Sequence, residues 1–152
     1  MAPAFADAAI IEASLARAAA LAGDLTTPVY ARLFGTRPDL AALFGLDASN
    51  AVKGEMLAQV FDTILDFIGP RAFADHQLRA HAVAHDGYGV PPALFVGFFT
   101  TVAATVADVL GDEWPGATAE AWAALIAEIA LTVPLPCNEG DSAPERSRVG
   151  VH

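Results

Sequence analysis

Cysteine is almost absent from this chain of 152 residues: its single Cys137 excludes an internal disulfide and any cysteine cluster around a metal. Positive charge is scarce as well. Eight Lys and Arg face eighteen Asp and Glu, giving a formal charge of −10 at pH 7. A field of that sign repels phosphate backbones, so nucleic acid is not an expected partner. No apolar run continues unbroken for the roughly 18 residues of a spanning helix; glycine or a charged side chain interrupts each one. The first residues, Met1 to Asp7, carry neither the basic cluster nor the apolar stretch of a secretion signal. A cytoplasmic location without a membrane partner is therefore expected. Also missing are a Gly-rich phosphate loop after a strand and any sustained period-two alternation.

What is present is an alanine-rich, helical pattern. Hydrophobic residues make up 55% of the chain and charged ones 17%, enough for one buried core and too apolar for general disorder. Ile10, Ile11, Leu15, Ala18 and Ala22 recur at helical spacing until Gly23 stops the first helix, Ala8 to Ala22. Asp24, Thr26 and Thr27 are cap candidates, and Pro28 suits the first turn of a second helix bearing Val29, Tyr30, Leu33 and Phe34. A short segment opens at Pro38 and closes near Phe44 and Gly45.

Asp47 and Ser49 are candidate caps for a long helix whose apolar face is Met56, Leu57, Val60, Phe61, Ile64, Leu65 and Ile68, ended by Gly69–Pro70. A shorter helix is predicted over Ala72 to His85, broken by Asp86-Gly87-Tyr88-Gly89. Another follows from Pro91–Pro92 to Leu110, and a last from Thr118 to Thr132 after a turn spanning Gly111 to Gly116. The class is all-α: one helical domain over residues 1–133 and a flexible tail over 134–152.

Reactive groups are few. No Ser-His-Asp arrangement stands out, and the carboxylates lie singly among alanines. The histidines are His76, His81, His85 and His152. His81 and His85, four apart, share a helix face, which suits either a two-histidine metal site or a pair of structural imidazoles. No glutamate completes a zinc-protease motif beside them.

The order of segments is more specific than any of them alone. Val29-Tyr30-Ala31-Arg32-Leu33-Phe34 precedes Pro38-Asp39-Leu40 and Leu43-Phe44, so that 13 residues separate Tyr30 from Phe44. A long helix intervenes before His85-Asp86-Gly87-Tyr88-Gly89-Val90, and Leu110-Gly111-Asp112 with Trp122 closes the set. In this pattern the chain resembles the globin family, and within it the bacterial single-domain haemoglobins and the globin part of flavohaemoglobins.

The resemblance implies a globin fold packed around haem b, with His85 as proximal iron ligand, its second ring nitrogen bonded to a backbone carbonyl one turn back. It implies Tyr30 as a distal hydrogen-bond donor to a bound gas, Phe44 flat against the ring, and Leu57, Val60, Phe61, Val90, Phe95 and Phe98 as pocket lining. His81 would point towards a propionate or solvent. Counting back 32 residues from His85 puts Lys53 where relatives carry Gln or His. Its long stem would let it pair with a propionate or turn inward as a nitrogen ligand.

Relatives carry a tyrosine at the position of Phe95, and Ile126 stands at the late position near Trp122, so the proximal push expected of a peroxidase is weakened. The expected ligands are dioxygen, carbon monoxide or nitric oxide, bound reversibly by a monomer or homodimer. The alternatives are nitric oxide dioxygenation and gas sensing. The first would need an external reductase, since no flavin or nicotinamide domain is recognisable.

Overall fold

Six α-helices account for most of the described residues, 6–44 and 50–133, in the computed structural model. They are α1 (Ala8–Ala22), α2 (Thr26–Thr36), α3 (Ala51–Ile68), α4 (Ala74–Gly87), α5 (Pro92–Leu110) and α6 (Gly116–Thr132). Two short 3-10 helices, Pro38–Phe44 and Gly111–Glu113, join them, and no strand occurs among the described residues. The expected all-α class is what the structure shows.

Local chemistry sets the boundaries. Gly23 ends α1 at a φ of 74°, a left-handed value that costs glycine little, and its N–H returns to the Ala19 carbonyl at 2.8 Å. The Asp24 carboxylate then accepts the Thr26 backbone N–H at 2.9 Å and its hydroxyl at 2.6 Å, fixing the entry to α2. Those bonds, the hydroxyl's first, hold the Asp24 carboxyl below its ordinary value. Pro92 opens α5, where a missing N–H leaves no helical bond unmade.

The turn from α3 to α4 is tighter than the sequence suggested. Gly69 has no room for a side chain, because a Cβ there would meet the Leu65 carbonyl oxygen at 2.9 Å. Beyond it, the Asp66 carboxylate accepts the N–H groups of Ala72, Phe73 and Ala74 at 3.1, 2.9 and 2.7 Å. Burial raises the Asp66 carboxyl, but the three donors together outweigh it and hold it below the usual carboxylate value. With those donors engaged by a side chain from the preceding helix, α4 starts at Ala74, two residues later than predicted. It also runs past His85 to Gly87, so the chain breaks at Tyr88 and at Gly89, where φ is 90°.

Helix α5 is the centre of the molecule, packing on α1, α2, α4 and α6. Its stretch Pro92–Glu113 has the length and apolar composition of a membrane span. Yet Phe99, Val102, Val106 and Leu110 are buried among neighbouring helices, and Leu94, Phe95 and Phe98 line a cavity between helices. Ile11 and Ala18 of α1, and Trp122, Leu125 and Ile129 of α6, complete this part of the core. Trp122 donates its indole N–H to Ser14 Oγ at 2.9 Å, and the Ser14 hydroxyl donates in turn to the Ile11 carbonyl at 2.7 Å. The buried polar groups of that contact are thereby satisfied. Arg32 pairs with Asp108 and ties α2 to α5.

Several expected features lie outside the described residues: Gly45, the caps Asp47 and Ser49, Cys137, His152 and the tail 134–152. Next to those caps, Asn50 precedes α3 at a φ of 63°, a conformation Asn tolerates better than most residues. Helix α6 begins at Gly116, behind Pro115, rather than at Thr118.

Candidate functional site

Helices α3 and α4 pack on each other near the Asp66 turn and enclose a cavity of about 650 Å³ with α2, α5 and the Pro38–Phe44 segment. Its α3 wall is Val52, Met56, Gln59, Val60 and Thr63, a run at helical spacing along one face. The α4 wall is Gln77, Leu78, His81, Ala84 and His85, continued by Tyr88 and Val90. Leu94, Phe95, Phe98 and Phe99 of α5 close it from below, with Tyr30 and Leu33 of α2 and Phe44 at the side. The lining is overwhelmingly apolar, so its few polar groups stand out.

His85 is the most specific of them. Its Nδ1 lies 2.7 Å from the His81 backbone carbonyl, one turn back. A carbonyl can only accept, so Nδ1 carries the proton and the Nε2 lone pair is left for another partner. The ring is half-buried and lies 5.1 Å from that of Phe95, centroid to centroid. A hydrocarbon ring there fixes the imidazole by contact and offers it no hydrogen bond.

His81, on the same wall, bonds through Nε2 to Gln77 Oε1 at 2.7 Å. Burial, and secondarily the charge of neighbouring His85, lower the His81 imidazole below its ordinary value. The rings of His81 and His85 are 6.4 Å apart. Among the described residues no three His, Cys, Asp or Glu side chains come together as a site for a bare ion.

Tyr30 is 3% exposed and its hydroxyl is buried. Phe34, Phe44 and Phe98 hold its ring at centroid distances of 5.8, 5.5 and 5.5 Å, which fixes where the hydroxyl sits. Eight of the side chains anticipated from sequence therefore share one cavity: Tyr30, Phe44, Val60, His81, His85, Val90, Phe95 and Phe98.

Three others do not line it. Leu57 is buried on the core side of α3 at 2% exposure, and Lys53 places its ammonium 5.3 Å from the centre of the Phe44 ring. Phe61 likewise packs against the core. The broad apolar face of α3 is shared between core and cavity, and one helical offset separates the two sets. Sequence reasoning missed Met56, Gln59, Thr63 and Gln77. The signal available was weak: Gln77 stands four residues before His81, and Gln59 four before Thr63.

These residues fit a haem. The cavity falls within the about 300–1,000 Å³ range of cofactor sites and offers an apolar wedge between helices. It also presents one imidazole in the tautomer that leaves Nε2 able to ligate iron, oriented by a backbone acceptor. Comparison with curated proteins and with solved structures gave no significant match. The Globin family model does match, over residues 27–133, a span from the start of α2 to the end of the described chain. By that match, and by the six-helix architecture around a histidine-bearing apolar cavity, this chain belongs to the globin family.

Proposed function

We propose that this globin holds one haem b through Nε2 of His85 and binds dioxygen or a similar diatomic gas reversibly, in the manner of bacterial single-domain haemoglobins. The observation that carries the reading is the pairing within one cavity of His85, its Nδ1 bonded to a backbone carbonyl, with the buried hydroxyl of Tyr30. When bound, the haem supplies a ligand position for the gas. The chain's own residues do the rest. His81 O fixes the tautomer and tilt of the His85 ring, and Phe95 packs against that ring without polarising it. Phe44, Val60, Val90 and Phe98 line the cavity with hydrocarbon. The Tyr30 O–H would donate to a bound gas that carries partial negative charge, a bond of about 1–3 kcal/mol when buried and charge-assisted.

His81, bonded to Gln77, supports the proximal wall and does not ligate. Turnover of nitric oxide would use this same site with electrons from a separate reductase. The apolar contact of Phe95 with His85 speaks for binding over peroxide chemistry, because among the described residues the acceptor given to the imidazole is a neutral carbonyl. Absorption spectra of the purified protein in ferric, ferrous and carbonyl-bound states test the reading. Stoichiometric haem with a five-coordinate ferrous form that binds carbon monoxide is expected; a protein that takes up no haem overturns it.

A further inference from the structure

A second depression, of about 480 Å³, lies at the α3–α4 corner and shares Gln59, Thr63 and Gln77 with the main cavity. Its own floor is more polar and includes Asp62 and Asp66. The two spaces therefore meet at three polar side chains, while almost everything else around the main cavity is hydrocarbon. Two of the three are held back along their own helices. Gln59 donates to Glu55 at 3.5 Å, and Gln77 accepts from His81 at 2.7 Å, so neither amide bridges from α3 to α4. Thr63, 6% exposed, forms the inner end of the junction.

We infer that this corner is a side port through which small neutral molecules, water and diatomic gases, reach the cavity once a cofactor fills it. The inference rests on the proposed haem reading: a cofactor in the main cavity would leave the second depression, which shares three lining residues with it, as a route in from the α3–α4 corner. The polar rim admits water along with the gas. The Asp62 carboxylate at the outer end, on a chain of net charge −10, disfavours anions.

A port changes rates and not affinities, because blocking a route slows arrival and departure alike and leaves the bound state as it was. The test is carbon monoxide association and dissociation with the ferrous holoprotein. Gln59→Trp, at an exposed rim position, is expected to slow both rates several-fold with Kd unchanged. Gln59→Ala is expected to leave both rates equal to or above those of the parent. Val83→Trp, on the far face of α4, serves as the bulk control and should alter neither.

Unchanged rates in Gln59→Trp overturn the port, as does a fall in association matched by weaker binding, which marks damage to the site itself. Should Gln59→Trp fail to retain haem, slowed rates in Gln59→Ala overturn the port equally. A protein that binds no carbon monoxide at all refutes the haem reading instead, and the two failures are thus told apart.

Discussion

The Asp66 carboxylate, at the end of α3, accepts the backbone N–H of Ala74 at 2.7 Å and so joins the last turn of one cavity wall to the first turn of the other. With the bonds from Ala72 and Phe73 it satisfies three N–H groups that the start of a helix leaves without intrahelical partners. The angle at which α3 and α4 leave this corner decides where His85 stands relative to Val60.

The first prediction follows from that carboxylate. Asp66→Asn puts an amide NH2 against N–H donors and should destabilise the fold by about 2–4 kcal/mol. The folded-state carboxyl lies below its unfolded value, near 3.8, so its contribution is complete above that value and is lost as pH falls through the lower folded one. Urea unfolding at pH 7 should separate the parent from Asp66→Asn clearly, and the difference should shrink on acidification below about pH 4. A gap that stays constant down to acid unfolding would mean the charge of Asp66 is irrelevant.

The second prediction concerns the Tyr30 hydroxyl. Tyr30→Phe keeps the ring among Phe34, Phe44 and Phe98 and removes only the donor. Oxygen dissociation should accelerate roughly tenfold, the equivalent of about 1.4 kcal/mol. Carbon monoxide, less polarised when bound, should dissociate at close to the parent rate. Stopped-flow exchange of the two gases checks this; equal acceleration of both would assign Tyr30 a steric role.

Lys53 gives the third. It is the single lysine of the chain, and its ammonium rests 5.3 Å from the Phe44 ring centre, off the cavity lining. A cation held over an aromatic face is stabilised where it is by about 0.5–1 kcal/mol. Lys53→Ala should therefore leave the alkaline ferric spectrum as in the parent. Loss of a nitrogen-ligated low-spin form in the variant would show that the lysine turns inward after all, as its sequence position first suggested.

Much of this arrangement was legible beforehand, and the reasons differ from part to part. Helix α1 could be bounded to the residue because apolar periodicity and Gly23 are both local signals. His85 was preferred to His81 because the motif after it, Gly89-Val90, has a fixed spacing. The start of α4 was misjudged by two residues because its N-terminal donors are claimed by Asp66, eight positions upstream of Ala74, a contact no local pattern encodes.

On α3 the periodicity gave a broad apolar face without saying which edge meets the core. Leu57 turned out to belong to the core and Met56 to the cavity. Gln59, Gln77 and Thr63 were invisible for a plainer reason: polar residues on a helix are ordinarily read as solvated, and only the tertiary structure brings these together.

The central claim is that His85 holds a haem, and haem retention in histidine variants tests it most directly. His85→Ala, His81→Ala and His76→Ala should be purified side by side and titrated with hemin, following the Soret band and the melting temperature. The account predicts that only His85→Ala fails to form the stable complex, melts lower because bound haem stabilises the folded chain, and regains a normal spectrum when imidazole is supplied. A normal spectrum in His85→Ala, with haem lost from His81→Ala instead, would contradict it.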